Sequence, residues 1–263
     1  MPASYPGAIK TFVARVAGQV ARAAHIQDIQ DEVTAIETAL GTNPAGNDGW
    51  APAGETWTYA SANTVTVSGD VRTRYPTGTK VKLTQTTVKY FYVTGAAYGA
   101  PNTTLTLAGG SDYSIANAAV TANYLSYTVT PQGFPAYHNF TPTLTQLASI
   151  TVTGYYARFA MIGKRVSIWT LIGATTAGTA GNALVLGALP IAAVVADNYH
   201  AAGAFTYLDS GTAVHSGTAV GEGSTTTLKF WEGGSASDFF GISPAMTVAN
   251  NDVIGVHADY LAA

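Results

Sequence analysis

Apolar residues recur at helical spacing in one segment near the amino terminus, where polar and acidic residues fill the positions between them. The apolar stripe consists of five aliphatic residues separated by three, four, three and four positions: Ile26, Ile29, Val33, Ile36 and Leu40. Gly41 stands where a left-handed carboxyl-terminal cap is expected, and Pro44 prevents the helix from resuming. The pattern therefore predicts a helix over about residues 21–40.

Two interpretations of this stripe are open. A narrow apolar face can pack on an apolar surface of the same subunit, or it can form a helix interface between copies of the chain. β-Branched residues occupy both core positions of the heptad, which favours three strands over two. No nearby stretch is apolar enough to form an obvious surface of the first kind. A helix of this length is marginal on its own and needs support from the rest of the chain. We predict that residues 1–49 form a trimerisation segment with a short trimeric bundle.

The hydrophobic pattern changes period after the turn-rich residues 43–49, and short alternating runs then predict β-strands. Residues 50–135 are expected to form a small β-meander domain. Its strands are predicted at residues 56–60, 64–67, 71–75, 80–86, 88–94, 102–107 and 124–130. Residues 114–119 are compatible with one helical turn.

The alternation continues through residues 136–263, which are predicted to form a C-terminal β-sandwich of jelly-roll-like type. Its strands are expected at residues 145–153, 155–161, 165–172, 183–189, 200–207, 213–217, 225–231 and 252–260. Before the helix, residues 11–16 alternate as a strand does, whereas residues 8–16 also fit a helix. The predicted fold class is therefore mainly β, with one N-terminal helix.

Charged residues make up only 10% of the 263 residues, against roughly 25% in an ordinary soluble domain. Such a surface suits subunits that pack against copies or partners. The net charge of −3 argues against nucleic acid as a partner, because phosphate binding needs a basic stripe. Lys80 and Lys82 are expected to protect the edge of a strand.

Membrane, metal and cofactor chemistry find little support in the sequence. The apolar run at residues 183–196 has 14 residues and contains Gly187 and Pro190, so it is too short to cross a hydrocarbon core about 30 Å thick. The chain has no cysteine. No metal and no cofactor are expected, because the five histidines are scattered without ligand spacing: His25, His138, His200, His215 and His257. An ion bound by three copies of His25 on the axis of a trimer stays open as the alternative.

One possible catalytic triad in the sequence is Asp209, His215 and Ser216. No nucleophile-elbow sequence surrounds any serine, and the acids of residues 197–259 lie mostly in turn contexts. The chain is therefore predicted not to be an enzyme.

A binding site has better support in two polar loops that carry aromatic residues. The first runs from residue 231 to residue 240 and offers Trp231, Asp238 and Phe239. The second contains Tyr199 and His200. Aromatic faces stack on sugar rings, and a carboxylate accepts hydrogen bonds from sugar hydroxyls. The alternative is that aromatic residues at strand ends are simply buried in the core.

Three segments carry a resemblance to known proteins. Residues 24–44 resemble the opening of tailed-bacteriophage fibre and minor tail proteins, and residues 76–93 resemble a module that recurs in them. Residues 140–166 resemble the start of their C-terminal β-sandwich. The resemblance implies a homotrimeric virion protein, attached to other virion proteins through its N-terminal segment.

The predicted function is a phage tail fibre or receptor-binding component that presents its distal sandwich to a host surface glycan or protein. It would be assembled in the host cytoplasm and exposed on the particle. Two alternatives stay open. One is a decoration or adaptor on the capsid, neck or collar without receptor binding, and the other is a polysaccharide-degrading fibre.

Overall fold

The computed structural model describes residues 23–40, 48–194, 200–221, 226–233 and 238–263, with residues 37–40 described by their backbone alone. Within these ranges the chain is mainly β, with one helix followed by two antiparallel sheets, which confirms the predicted fold class. The predictions for residues 8–16, for Gly41 and for residues 43–47 lie outside the described residues.

The helix α1 spans Ala23–Leu40. The first sheet contains β1 (Ala51–Pro52), β2 (Trp57–Ser61), β3 (Thr64–Ser68), β4 (Lys80–Thr84), β5 (Val88–Gly99), β6 (Asn102–Ala108) and β7 (Thr121–Ser126). The second contains β8 (His138–Asn139), β9 (Thr143–Gln146), β10 (Ala148–Ile150), β11 (Val152–Ile162), β12 (Arg165–Ala174), β13 (Val185–Gly187), β14 (Ala193–Val194), β15 (His200–Asp209), β16 (Ala213–Gly221), β17 (Leu228–Glu232) and β18 (Val253–Ala262).

The first sheet is built around the three-stranded meander β4–β5–β6. Its strand order is β1-β7-β4-β5-β6-β3-β2, so longer connections bring β3 beside β6 and β7 beside β4. Four of these strands, β3 to β6, therefore have the Greek-key order. Alternate residues of β3 and β6 point inward, with Val65, Val67, Leu105 and Leu107 buried in one core.

The second sheet is ordered β10-β9-β13-β17-β16-β15-β18-β12-β11-β8, and β14 pairs with β18. β15, β16 and β17 follow one another as hairpins, and β18 returns to lie beside β15, which is a second Greek key. The long strands β12 and β18 alternate buried and accessible residues almost throughout. One core lies inside this sheet, as expected of a sandwich-like domain.

The two sheets meet at a buried joint. Tyr92 comes from β5 of the first sheet, yet its ring belongs to the core of the second. The Asn139 backbone N donates a hydrogen bond of 2.7 Å to the Asp112 carboxylate, and Ser111 N donates one of 2.8 Å to Asn139 O. Gly78 and Gly110, both with positive φ, pass against the backbone of the second sheet, where a Cβ would overlap it.

Three predicted elements are wrong. Residues 71–75 form a turn because Tyr75 is buried and its hydroxyl donates to Glu55, so its apolar character reflects core burial rather than strand pairing. Residues 114–119 are irregular because the Gln85 side chain satisfies their backbone groups. The strand predicted at residues 145–153 breaks at Leu147, whose φ is +65°, a conformation that bulky residues rarely adopt.

Lys80 and Lys82 do not protect a strand edge, because β4 lies between β5 and β7. The Lys80 Nζ lies 5.5 Å from the ring centroids of both Tyr92 and Phe134, and burial lowers its pKa. The Lys82 Nζ lies 4.7 Å from the ring of Trp50, and burial lowers its pKa as well. Both lysines therefore act as cationic partners of aromatic rings inside the fold.

Candidate functional site

The apolar stripe of α1 is exposed in the single chain. Its four described side chains have exposed fractions of 54%, 52%, 47% and 39%: Ile26, Ile29, Val33 and Ile36. The side chain of Leu40 lies outside the described residues. Glu32, which borders the stripe next to Ile29 and Ile36, is only 6% exposed. The helix therefore turns a polar face inward and leaves its apolar face toward solvent.

The loop after β17 separates its three predicted ligand residues. Trp231 is 41% exposed, whereas Phe239 is buried and its ring is covered by the Lys229 Nζ at 4.6 Å. The Asp238 carboxylate accepts a hydrogen bond of 2.7 Å from the Phe239 backbone N. Phe239 is therefore buried at the end of β17, and Trp231 is the more exposed of the two aromatic residues.

The second predicted loop does not join the first. His200 is exposed at the start of β15, where it is opposite Gly221 of β16. Trp231 is opposite Thr218 of the same strand, so the two positions are about 10 Å apart along the ladder. Tyr199 lies outside the described residues.

The outer face of the second sheet carries a row of directly opposed residues that crosses seven strands. We call this set the cross-strand row. In order it contains Trp231, Thr218, Ala204, His257, Trp169, Arg158 and Asn139. Residues that are directly opposite in an antiparallel pair share one face of the sheet. The inner face of the same strands is buried in the core, so the row faces away from the fold.

An aromatic pair stands at the centre of the row. Trp169 is 38% exposed, and its ring lies nearly parallel to that of His257, with the planes at 17° and the centroids 5.6 Å apart. Ala204 and Gly255 place almost no side chain beside this pair. Because the rings of Trp169 and His257 project further from the sheet than Ala204 and Gly255, they leave a groove of about 230 Å³ beside them. Tyr156 and Thr206 line its sides.

Arg158 stands at one end of the pair, directly opposite Trp169. Its guanidinium carbon lies 4.2 Å from the ring centroid of Tyr137 and 5.4 Å from that of Tyr156. Its Nε is buried and has no hydrogen-bond partner, and no carboxylate pairs with it among the described residues. The Asp112 carboxylate is instead bound by the backbone N and Nδ2 of Asn139.

Arg165, on the same face, provides a contrast. It forms an ion pair of 2.9 Å with Asp259, which holds the pKa of that carboxyl below its usual value. Its charge is thus balanced within the chain. Arg158 has no such counterion among the described residues.

A second concave region lies between the two sheets. This cleft has a volume of about 820 Å³ and is lined by residues of β6, the following loop and residues 190–192. No charged side chain lines it. No histidine or carboxylate side chain lines the cleft as a base, and six of its side chains carry hydroxyl groups: Thr94, Thr106, Ser111, Tyr113, Ser114 and Thr141.

The possible triad is not assembled. The His215 Nδ1 lies 3.0 Å from Glu232 Oε1 rather than next to Asp209. Ser216 follows His215 in β16, so the two side chains point to opposite faces of the sheet. His215 and Glu232 therefore form a pair at the end of the core without the neighbouring serine.

Within the described part of the chain, no group of three or more His, Asp or Glu side chains is placed to hold a metal ion. The helix α1 is not apolar enough to span a membrane, and the described residues contain no other helix that could do so.

No family model, curated protein or solved structure matches this chain. What the fold and the surface define is a mainly β protein with an exposed apolar helix stripe and an exposed aromatic sheet face. Its role is therefore argued from these two surfaces.

Sequence reasoning identified Trp231 but missed Trp169, His257 and Arg158. A signal for them existed, since each stands next to a buried apolar residue of an alternating strand and therefore occupies an outward position. The proximity of Trp169 to His257 could not be predicted, because β12 and β18 are distant in sequence, whereas Arg158 and Trp169 are opposite each other in the hairpin of β11 and β12.

Proposed function

We propose that this chain is a homotrimeric virion protein of the phage-fibre type, which attaches through its N-terminal segment and presents its second sheet to the host surface. The observation that carries the proposal is the exposed stripe of α1. A stripe that contains Ile29 and Val33 at half-exposed positions leaves apolar area in water that a partner would bury.

The residue types on the stripe support three copies rather than two. Ile26 and Val33 occupy one core position of the heptad, and Ile29 and Ile36 occupy the other. β-Branched residues at both positions favour trimers. Because the helix is short, the two β-domains would contribute the remaining stability.

The cross-strand row supports a recognition role for the second sheet. Exposed tryptophans are uncommon on surfaces that have no partner, and this face carries Trp169 and Trp231. Three such faces on one stalk would bind a repetitive surface together, and the gain would come from effective concentration.

Competition for adsorption tests the proposal with the complete chain. The purified protein is incubated with bacteria that the corresponding phage infects, and adsorption of the phage is then measured. We expect saturable binding and reduced adsorption, with no binding to a strain that resists adsorption. A chain that is incorporated into particles but binds no cells would instead be a decoration or adaptor protein.

A further inference from the structure

We propose that the groove beside Trp169 and His257 binds an acidic saccharide, whose sugar ring lies against the aromatic pair and whose carboxylate or phosphate binds Arg158. This inference rests on the proposed function, because it names the ligand class of the recognition face. It concerns a site that neither predicted loop contains.

The shape of the groove favours a ring over an extended peptide. At about 230 Å³ it is smaller than the roughly 300 Å³ at which pockets for drug-sized ligands begin. Its floor is set by Gly255 and Ala204, and its wall by the rings of Trp169 and His257. The C–H bonds on one face of a pyranose ring pack against an aromatic ring. This sugar face is flat and apolar, so it complements the wall of the groove.

The polar groups of the groove suit hydroxyls. Thr206 lies on its side, and its hydroxyl is not engaged by any hydrogen bond in the described structure. The imidazole of His257 and the phenol of Tyr156 add groups that donate and accept. No acidic side chain lines the groove, so an anionic ligand meets no repulsion there.

The charge of the ligand follows from Arg158. A guanidinium between two tyrosine rings is held in one orientation, and its fork matches a carboxylate or a phosphate. Adjacent strands are about 4.8 Å apart, so Arg158 stands roughly 10 Å from His257 across β12. A ligand of at least two sugar units therefore spans from the groove to the cation.

Calorimetric titration of the full-length protein with three probes tests the inference. The probes are a glucuronate-containing oligosaccharide, a sugar-phosphate oligosaccharide and an uncharged glucose oligosaccharide. We expect one or both acidic probes to bind with a Kd of about 0.1–1 mM and the neutral probe at least about tenfold more weakly. The two acidic probes distinguish the carboxylate from the phosphate. Absence of saturable binding of both at about 10 mM would overturn the inference.

Two variants separate the ring contact from the charge contact. Arg158→Gln should weaken binding of the acidic probe at least about tenfold and leave the neutral probe unchanged, because only the ionic pair is lost. Trp169→Ala should weaken both probes at least about tenfold, since a stacking face is removed. Thermal unfolding of each variant shows whether its fold is retained.

Arg72→Gln is the matched control. The Arg72 guanidinium also lies over a tyrosine ring, that of Tyr98 at 5.8 Å, but it is paired with Asp70 in the first sheet. This variant should keep the affinity of the parent protein within about twofold. An Arg158→Gln variant that also stays within that range contradicts the inference.

The mass of the variants in solution distinguishes a saccharide from a second copy as the occupant. If Trp169→Ala lowers the oligomer mass, the face is an interface between copies and the inference is wrong. If the parent protein and both variants block phage adsorption equally, the saccharide site is refuted and the proposed function stands. If the protein binds the saccharide but does not block phage adsorption, the saccharide site stands and the proposed function is refuted.

Discussion

His138 is the residue whose environment differs most from what its type would suggest. It is fully buried at the joint between the sheets, with the rings of Tyr92, Phe134 and Phe159 within 5.6 Å. Its Nε2 donates to the Tyr90 carbonyl at 3.1 Å, and its Nδ1 has no hydrogen-bond partner. Burial lowers the pKa of His138 below its ordinary value of 6.5, so the ring is neutral at pH 7.

Acid should therefore weaken the fold through this residue. Below about pH 6.5 the unfolded chain binds a proton at this histidine more readily than the folded chain does. The free energy of unfolding therefore decreases as the pH is lowered. Lys80, near the same rings, adds unfavourable charge, whereas Asp112 partly opposes the effect. We expect urea unfolding to show less loss of stability between about pH 7.5 and about pH 5.5 in His138→Gln than in the parent protein. Equal losses would contradict this.

Two glycines allow the contact between the sheets to be weighed. Gly78 and Gly69 both have positive φ, at +94° and +83°, but a Cβ would overlap the Gly163 backbone only at Gly78. Gly69→Ala should cost about 1–2 kcal/mol of stability for its backbone conformation. Gly78→Ala should cost about 1–3 kcal/mol more, because the turns must separate. Denaturant unfolding measures the loss of stability in each variant. Equal losses would show that the two sheets separate at this contact without an energetic cost.

At the scale of elements, α1 is the part that the sequence defines best. Its periodicity is local, and one turn of helix brings its core positions together. The strands were mostly located, yet their neighbours were not, because β18 inserts between β12 and β15 through pairings that span many residues. The candidate site shares this difficulty. Trp169 and His257 become neighbours only through that insertion, whereas Trp231 is next to a polar loop that the sequence pattern predicts.

A charge placed on the stripe of α1 should dissociate the proposed trimer. Ile29→Asp would bury a carboxylate in the helix interface, at a cost of several kcal/mol per ion. Light scattering should give about three times the 27.1 kDa chain mass for the parent protein and the single-chain mass for the variant.

Ala24→Asp is the control for that change. Ala24 is exposed and lies on the side of the helix away from the stripe, so the same charge should leave the trimer intact. A parent protein that already has the mass of one chain in dilute solution would refute the trimer.

At the scale of the whole molecule, three weak sites would act together. Linked binding sites exceed a single site by roughly 10²–10⁴-fold in avidity. The Ile29→Asp variant should therefore need at least about 100-fold higher concentration than the parent protein to block phage adsorption. Its affinity for a soluble oligosaccharide in calorimetry should be unchanged, since each groove lies within one chain. Equal blocking by both proteins would contradict multivalent attachment.

The buried joint has a consequence for anyone who wishes to display the second sheet on its own. A cut before β8 would remove Tyr92 from the interior that it helps to fill and would leave His138 without its carbonyl partner. A transplantable recognition module should therefore include β5 and the Phe134 segment, or replace their rings with a designed cover. Without them, the isolated second sheet would expose aromatic core residues to solvent. This apolar surface would bind other molecules non-specifically.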